Sequence, residues 1–527
     1  MRKHIGIAVT ITLIAVGFRM FLAPRPASED DGDAAFYALL ARNLLDHHVY
    51  SGNEAEPFPP TLVRAPGYPL MLAAIYSLFG RGHNGAVHMV QVVFDTITCW
   101  LAALLALAWA PLEWTPDRRR RALLLALSMA AVCPFTAIYV STVMTEVSAM
   151  LFSTASVLAA AWAMKSDRKQ ARLWAAAGLL GGLAALVRPD CGMFTAAAVG
   201  AFLLVSLVRS RAARKEGNNE TARGYLKRAI VFAALASFCL AAVLTPWTIR
   251  NARVFGVFQP LAPPYANNPD EWVPRGYIEW LRTWVDDEEY VVTLEDGLDA
   301  YPMSVDQAPD YAFDSSEERD QVAALYERYN DPEPDTESSS DAVRAVDQTS
   351  SDDSEAEPDR CKLTPEIDAA FGEIARQRIA RRPFRHYVVM PIKRAGSLWF
   401  DTHTQYYPFQ GNLFPLSDLD FDKKQHYWLP VFLSIVWIYT LLGAAGAWLM
   451  LKNAGARKWA LMLALLIVPR LAFLAWQEHP EGRYTVEFFP FVAAAAGVAL
   501  AGAGRPLLKR FSFRSGVAAS PSAKQDA

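Results

Sequence analysis

The chain has 527 residues, 53% of them hydrophobic, a formal net charge of only -3 and positive mean hydropathy, which excludes an ordinary soluble enzyme. The charges are segregated: basic residues fill short gaps between apolar runs, while acidic residues collect around 286–360. That asymmetry carries membrane topology and excludes nucleic-acid binding. Five cysteines without CxxC spacing give no pairing or metal pattern.

In chain order, "MRKHIGIAVTITLIAVGFRMFLA" has a basic flank and enough apolar length to predict an uncleaved first span. Beyond it lies "SEDDGDAAFYALLARNLL", in which Phe36, Leu39, Leu40 and Leu44 recur at helical spacing and predict an amphipathic helix lying on the membrane surface. Asp33 stands at the start of that helix, where an aspartate can simply cap; Asp30 and Asp31 are redundant for capping. The segment "PGYPLMLAAIYSLFG", 66–80, is short for a span and predicts a second interfacial helix, with Arg64 just before it.

Further spans are predicted at about 86–110, 122–140, 142–164, 173–187, 190–208, 229–246, 428–451, 459–476 and 485–503, making about ten. The basic stretches "DRRRR", "KSDRKQAR", "RSRAARKEGNNETARGYLKR" and "KNAGARK" then fall on one, cytoplasmic, side, provided that 66–80 does not cross. The expected organisation is a transmembrane catalytic module, 1–246, with a first outer loop at 24–85. A small outer domain, 247–427, contains a disordered acidic insertion at about 330–360. Spans at 428–503 and a basic cytoplasmic tail, 504–527, complete it. No internal repeat is visible, which disfavours a transporter built from two halves.

Several charged residues sit where membrane proteins rarely place them by chance. Arg64, Arg188, Arg250 and Arg483 all fall at the outer ends of helices, against the positive-inside trend. Each alone suits snorkelling or an ion pair; together with an acidic loop they suit a phosphate clamp. Glu146 lies near the outer start of a span, where a carboxylate needs a partner. Asp95 has the same need and reads as structural. The histidines show no HExxH spacing, and a divalent metal is left open, with Glu146, Asp31 or His479 able to assemble a site only in space.

"GDAAFYALLARNLL" followed by "RAPGYPLMLAAIYSLFG" resembles the first outer loop of polyprenyl-phosphate-sugar-dependent glycosyltransferases of the GT-C fold, with family 39, the protein O-mannosyltransferases and aminoarabinose transferases, as the nearest resemblance. "YVSTVMTE", "LVRPD", "TPWTIRNARVFGVF" and "HPEGRYTVEFFPF" follow in the family's order. The resemblance implies an all-α polytopic membrane protein of the cytoplasmic (inner) membrane, with its active site facing outward. It also implies a polyprenyl-phosphate sugar donor and a glycan, lipid or protein acceptor. By position, Asp33 matches the family's catalytic acidic residue, a general base, and Arg64 the basic residue that contacts the donor phosphate. Arg250, Arg483 and Arg188 would complete the phosphate site, with Asp31, Tyr37 and Glu146 in support. A flippase for a lipid-linked sugar, or a non-catalytic membrane binding protein, is the alternative; a flippase would carry ionisable groups along the middle of several spans.

Overall fold

A computed structural model describes residues 2–24, 32–331, 361–409 and 423–503. Among these residues there are helices and turns but no strand. Asp31, the predicted acidic insertion from 332 onward and the basic tail lie outside the described residues.

The chain runs α1 (Arg2–Leu22), α2 (Gly32–Asp46), α3 (Gly67–Phe79), α4 (Asn84–Trp109), α5 (Pro116–Ala131), α6 (Pro134–Ala137), α7 (Glu146–Ala163), α8 (Gln170–Val187), α9 (Gly192–Lys215) and α10 (Asn219–Phe255). It continues through α11 (Arg275–Arg282), α12 (Glu288–Leu294), α13 (Ser316–Asn330), α14 (Pro365–Arg381) and α15 (Met390–Phe400). Three long helices close it: α16 (Lys423–Lys452), α17 (Arg457–Trp476) and α18 (Phe489–Gly502). Nine helical segments among the described residues are long and apolar enough to cross a membrane, or ten if the broken pair α5 and 134–141 is one span. That matches the expected all-α polytopic membrane protein. Helix α3, at 13 residues, is too short to cross.

Two departures from the expected spans have local causes. The run predicted as 122–140 breaks before Pro134 and bends by 53°, because proline cannot donate to the helix ladder and clashes with the preceding turn. The helix expected from 142 starts only at Glu146. Before it, the Ser141 and Thr142 hydroxyls donate to the carbonyls of Ile138 and Tyr139 at 2.7 and 3.3 Å, which holds the chain in a tight 3₁₀ turn.

Helix α18 lies at the centre of the bundle, packed against α4, α5 and α16 and buried along almost its whole length. Its alanines, 493–496, let neighbouring backbones approach closely, the usual way that helices associate without a hydrophobic driving force. In the first loop α2 packs on α3, and α3 packs on the end of α8. Gly67 makes that second contact: a Cβ there would stand 2.6 Å from the Leu186 carbonyl.

Between α10 and α16, helices α11–α14 bury a second apolar cluster built on Tyr277, Trp280, Trp284, Tyr326 and Phe371. Helix α15 leaves this unit to pack on α17 and on the 3₁₀ turn Gly482–Phe488. That turn is how residues far apart in sequence reach the end of the bundle where Asp33 lies.

Candidate active site

Asp33 is in the first turn of α2, and its two carboxylate oxygens go to guanidinium groups from distant parts of the chain. Arg64 Nη2 donates to Oδ1 at 2.9 Å, and Arg483 Nη2 donates to Oδ2 at 3.2 Å. Burial pushes the Asp33 carboxyl up, but Arg483 and then Arg64 more than offset it and hold it below its ordinary value. The sign follows: this clamp contributes its full stability above the ordinary carboxylate range and loses it as pH falls through the lowered value. The pair is about a quarter exposed (Arg64 30%, Asp33 25%), so solvent reaches the carboxylate. Tyr37, one turn on, rests edge-on against Tyr68 of α3 at 5.4 Å.

Of the residues expected in the site, Asp33, Arg64 and Arg483 thus come together, and Tyr37 flanks them. Arg250 does something different. Its Nη1 donates to the Thr61 carbonyl at 2.7 Å, and its guanidinium lies 4.8 Å from the Trp247 ring centroid. It therefore braces the loop that carries Arg64 instead of contacting Asp33.

Arg188 and Glu146 belong to a second, deeper layer. Arg188 Nη1 donates to Glu146 at 3.0 Å and to Glu487 at 3.1 Å, and Nε donates to Asp190 at 3.3 Å. Arg470 donates to Asp190 through Nε at 2.8 Å and to Glu487 through Nη2 at 3.1 Å. Three carboxylates thus face two arginines, and Glu146 Oε2 is buried with no hydrogen-bond partner among the described residues. Arg470 and Glu487 escaped the sequence reading, although each is a charge inside an apolar run, the signal that should have singled them out. Because removing one partner strands a buried charge, Arg470→Met is expected to destabilise the protein by about 3–5 kcal/mol. The check is a lowered thermal midpoint in detergent.

The turn that delivers Arg483 is itself tightly held. Arg483 Nε pairs with Glu481 at 2.6 Å. Gly482 lies so close to the Asp401 carboxylate that any Cβ would collide with it. Gly482→Ala is therefore expected to move the turn, cutting activity much more than the change in melting midpoint alone would explain. Glu288, from the start of α12, is pushed up to about 9 by burial, then by Glu481 and Asp401, so it is protonated at neutral pH.

Next along, His479 Nε2 pairs with Glu295 at 2.9 Å, and Arg282 grips Glu478 Oε2 at 2.9 and 2.6 Å. Burial pulls the imidazole down, but Glu295 outweighs it and raises His479 to about 9. Glu295, Glu478 and His479 form the group of described residues whose donor atoms, within 4.8 Å of one another, could hold a metal. Glu146 is not part of it.

Residues 63–247 match the family model described as dolichyl-phosphate-mannose-protein mannosyltransferase. The matched range holds Arg64, Glu146 and Arg188 and stops short of Arg250. No curated protein matches. Among solved structures, ArnT from Cupriavidus metallidurans in the apo state is similar at 12% identity over 94% of this chain and 77% of that one, with a TM-score of 0.34. The family match, on a bundle of apolar helices with no strand among its described residues, supports a membrane glycosyltransferase of the GT-C fold.

Proposed function

We propose that the protein transfers a sugar from a polyprenyl-phosphate donor to an acceptor hydroxyl at the extracytoplasmic surface of the cytoplasmic membrane. One observation carries this reading: a partly exposed carboxylate, Asp33, held between two arginines at the end of a transmembrane bundle. The resting clamp suits exchange. The donor phosphate offers Arg64 and Arg483 a better anion, since guanidinium binds phosphate oxygens bidentately. Once relieved of its arginines, Asp33 becomes a stronger base.

The acceptor oxygen then attacks the anomeric carbon, the bond from that carbon to the phosphate oxygen breaks, and the acceptor proton passes to Asp33. The departing polyprenyl phosphate carries its negative charge into the two guanidinium groups, so no separate acid is needed. A single displacement inverts the anomeric configuration. Glu146, Arg188, Asp190, Arg470 and Glu487 support this layer from below, and Arg250 fixes the loop. The unit of α11–α14, lying between α10 and α16 in the chain, would serve as an outer domain and, with the first loop, admit a glycan, lipid or protein acceptor from the aqueous side.

The flippase reading expects ionisable groups along the middle of several spans; apart from the buried Arg19–Asp95 pair that joins α1 to α4, the clustered charges here crowd one end of the bundle. The test is purified protein with a polyprenyl-phosphate-linked radiolabelled sugar. Release of polyprenyl phosphate with label on an acceptor supports the transferase, and movement of intact donor across a vesicle membrane without release would replace it with the flippase.

A further inference from the structure

Away from Asp33, the unit between α10 and α16 carries a concentration of positive charge that sugar transfer does not explain. Arg378, Arg381, Arg382 and Arg385 all converge on two carboxylates, Asp314 and Glu318. Arg378 pairs with Glu318, but the contacts to Asp314 are long: 3.7 Å from Arg378, 3.9 Å from Arg381, 3.5 Å from Arg382 and 3.5 Å from Arg385. Four guanidinium groups against two carboxylates leave an excess of two positive charges. Asp286, the next acid, is occupied by Lys393 and the Tyr311 hydroxyl, each at 2.8 Å.

The arginines also line a hollow. Arg378, Arg382, Arg385, Asp314, Thr283 and His386 surround a small depression open to solvent. Arg378 is 97% buried (3% exposed), yet among the described residues its Nε and Nη2 have no hydrogen-bond partner, Nη2 reaching Asp314 only at 3.7 Å, and neither has Nδ1 of His386. Unmet donors of this kind are costly when buried and point to a missing acceptor. Arg385 is pushed down by burial and by Arg378 and Arg382, with Asp314 opposing, as expected where like charges crowd.

The surroundings identify the source of that acceptor. The π-helical turn Arg385–Val389 begins beside Phe384 and leads into α15, and Phe384, Tyr387 and Ile392 are 69, 55 and 66% exposed. Tyr387 stacks on Trp476 at 6.0 Å, and Trp476 is the last residue of the α17 span. Aromatic residues at the end of a span mark the membrane–water boundary. The arginine hollow therefore opens beside an apolar rim at that boundary, on the same end of the bundle as Arg483.

We infer that Arg378, Arg382 and Arg385 form a binding site for the phosphate of an anionic membrane lipid, whose acyl chains lie along Phe384, Tyr387 and Ile392. The two excess charges suit a phosphate monoester, and the guanidinium forks give bidentate contact.

The test uses the full-length protein in neutral detergent, with binding of dioctanoyl phosphatidic acid, dioctanoyl phosphatidylcholine and inorganic phosphate measured by native mass spectrometry and calorimetry. Phosphatidic acid is expected to bind at least about tenfold more tightly than phosphatidylcholine, and Arg382→Gln with Arg385→Gln is expected to abolish that margin. Equal affinity for the two lipids, or an unchanged margin in the double variant, would overturn the site. Inorganic phosphate binding as tightly as phosphatidic acid would overturn its lipid source. Should the double variant not elute as folded protein, Arg382→Gln alone serves, since that side chain is 57% exposed.

Discussion

Asp33→Asn is expected to lower kcat by about 10²–10⁴-fold, the usual contribution of a general base, while the protein still folds. Asparagine keeps the shape of the side chain and can still accept a hydrogen bond from one arginine. Because both Asp33 and Arg64 are partly exposed, the lost ion pairing costs only about 1 kcal/mol. The same change removes the anion that competes for Arg64 and Arg483. Polyprenyl phosphate is therefore expected to bind Asp33→Asn more tightly than it binds the wild type, even as turnover collapses. Calorimetric titration beside single-turnover transfer separates the two effects. A purely structural aspartate predicts the opposite pattern, with weaker binding and a loss of turnover that tracks the loss of folded protein.

Arg483→Gln is the second large effect, expected to reduce kcat by about 10²–10³-fold, the cost of removing one preorganised donor from developing negative charge. Arg483→Lys keeps the charge but loses the fork and is expected to fall between. Asp33 then loses the first of the two neighbours that hold its carboxyl down, so its value rises and the acid limb of the activity profile moves to higher pH. Arg64→Gln should shift the limb in the same direction, since Arg64 also holds the carboxyl down. A pH profile of kcat/KM for each variant, which reports the donor-free enzyme in which the arginines still hold Asp33, checks the direction.

How much of this was legible in the sequence differs by scale. The apolar runs located the spans well because a bilayer imposes a length that composition reveals directly. They could not show that α18 is the central helix: an alanine-rich run reads the same whether one face or every face is buried, and only packing decides. Asp33 and Arg64 were legible because an acidic helix start and a proline-flanked arginine share one short loop. The partnership of Asp33 with Arg483 spans 450 positions, and nothing local announces it. Arg250 looked like a third phosphate ligand because it sits at a helix end, but a guanidinium reaches several Å in any direction, and here it turns to Thr61 and Trp247. The Arg188–Arg470 layer was half visible, through "LVRPD"; Arg470 lay in an apolar run read only for hydropathy, and Glu487 lay in "HPEGRYTVEFFPF", where only Arg483 was singled out.

The central claim is that Arg64 and Arg483 hold Asp33 at rest and exchange it for the donor phosphate. A cryo-electron microscopy structure of the protein with polyprenyl phosphate bound tests it directly. The account predicts the phosphate within hydrogen-bonding distance of both guanidinium groups, with the Asp33 carboxylate released toward solvent. A phosphate bound elsewhere, with Asp33 still joined to both arginines, would contradict it.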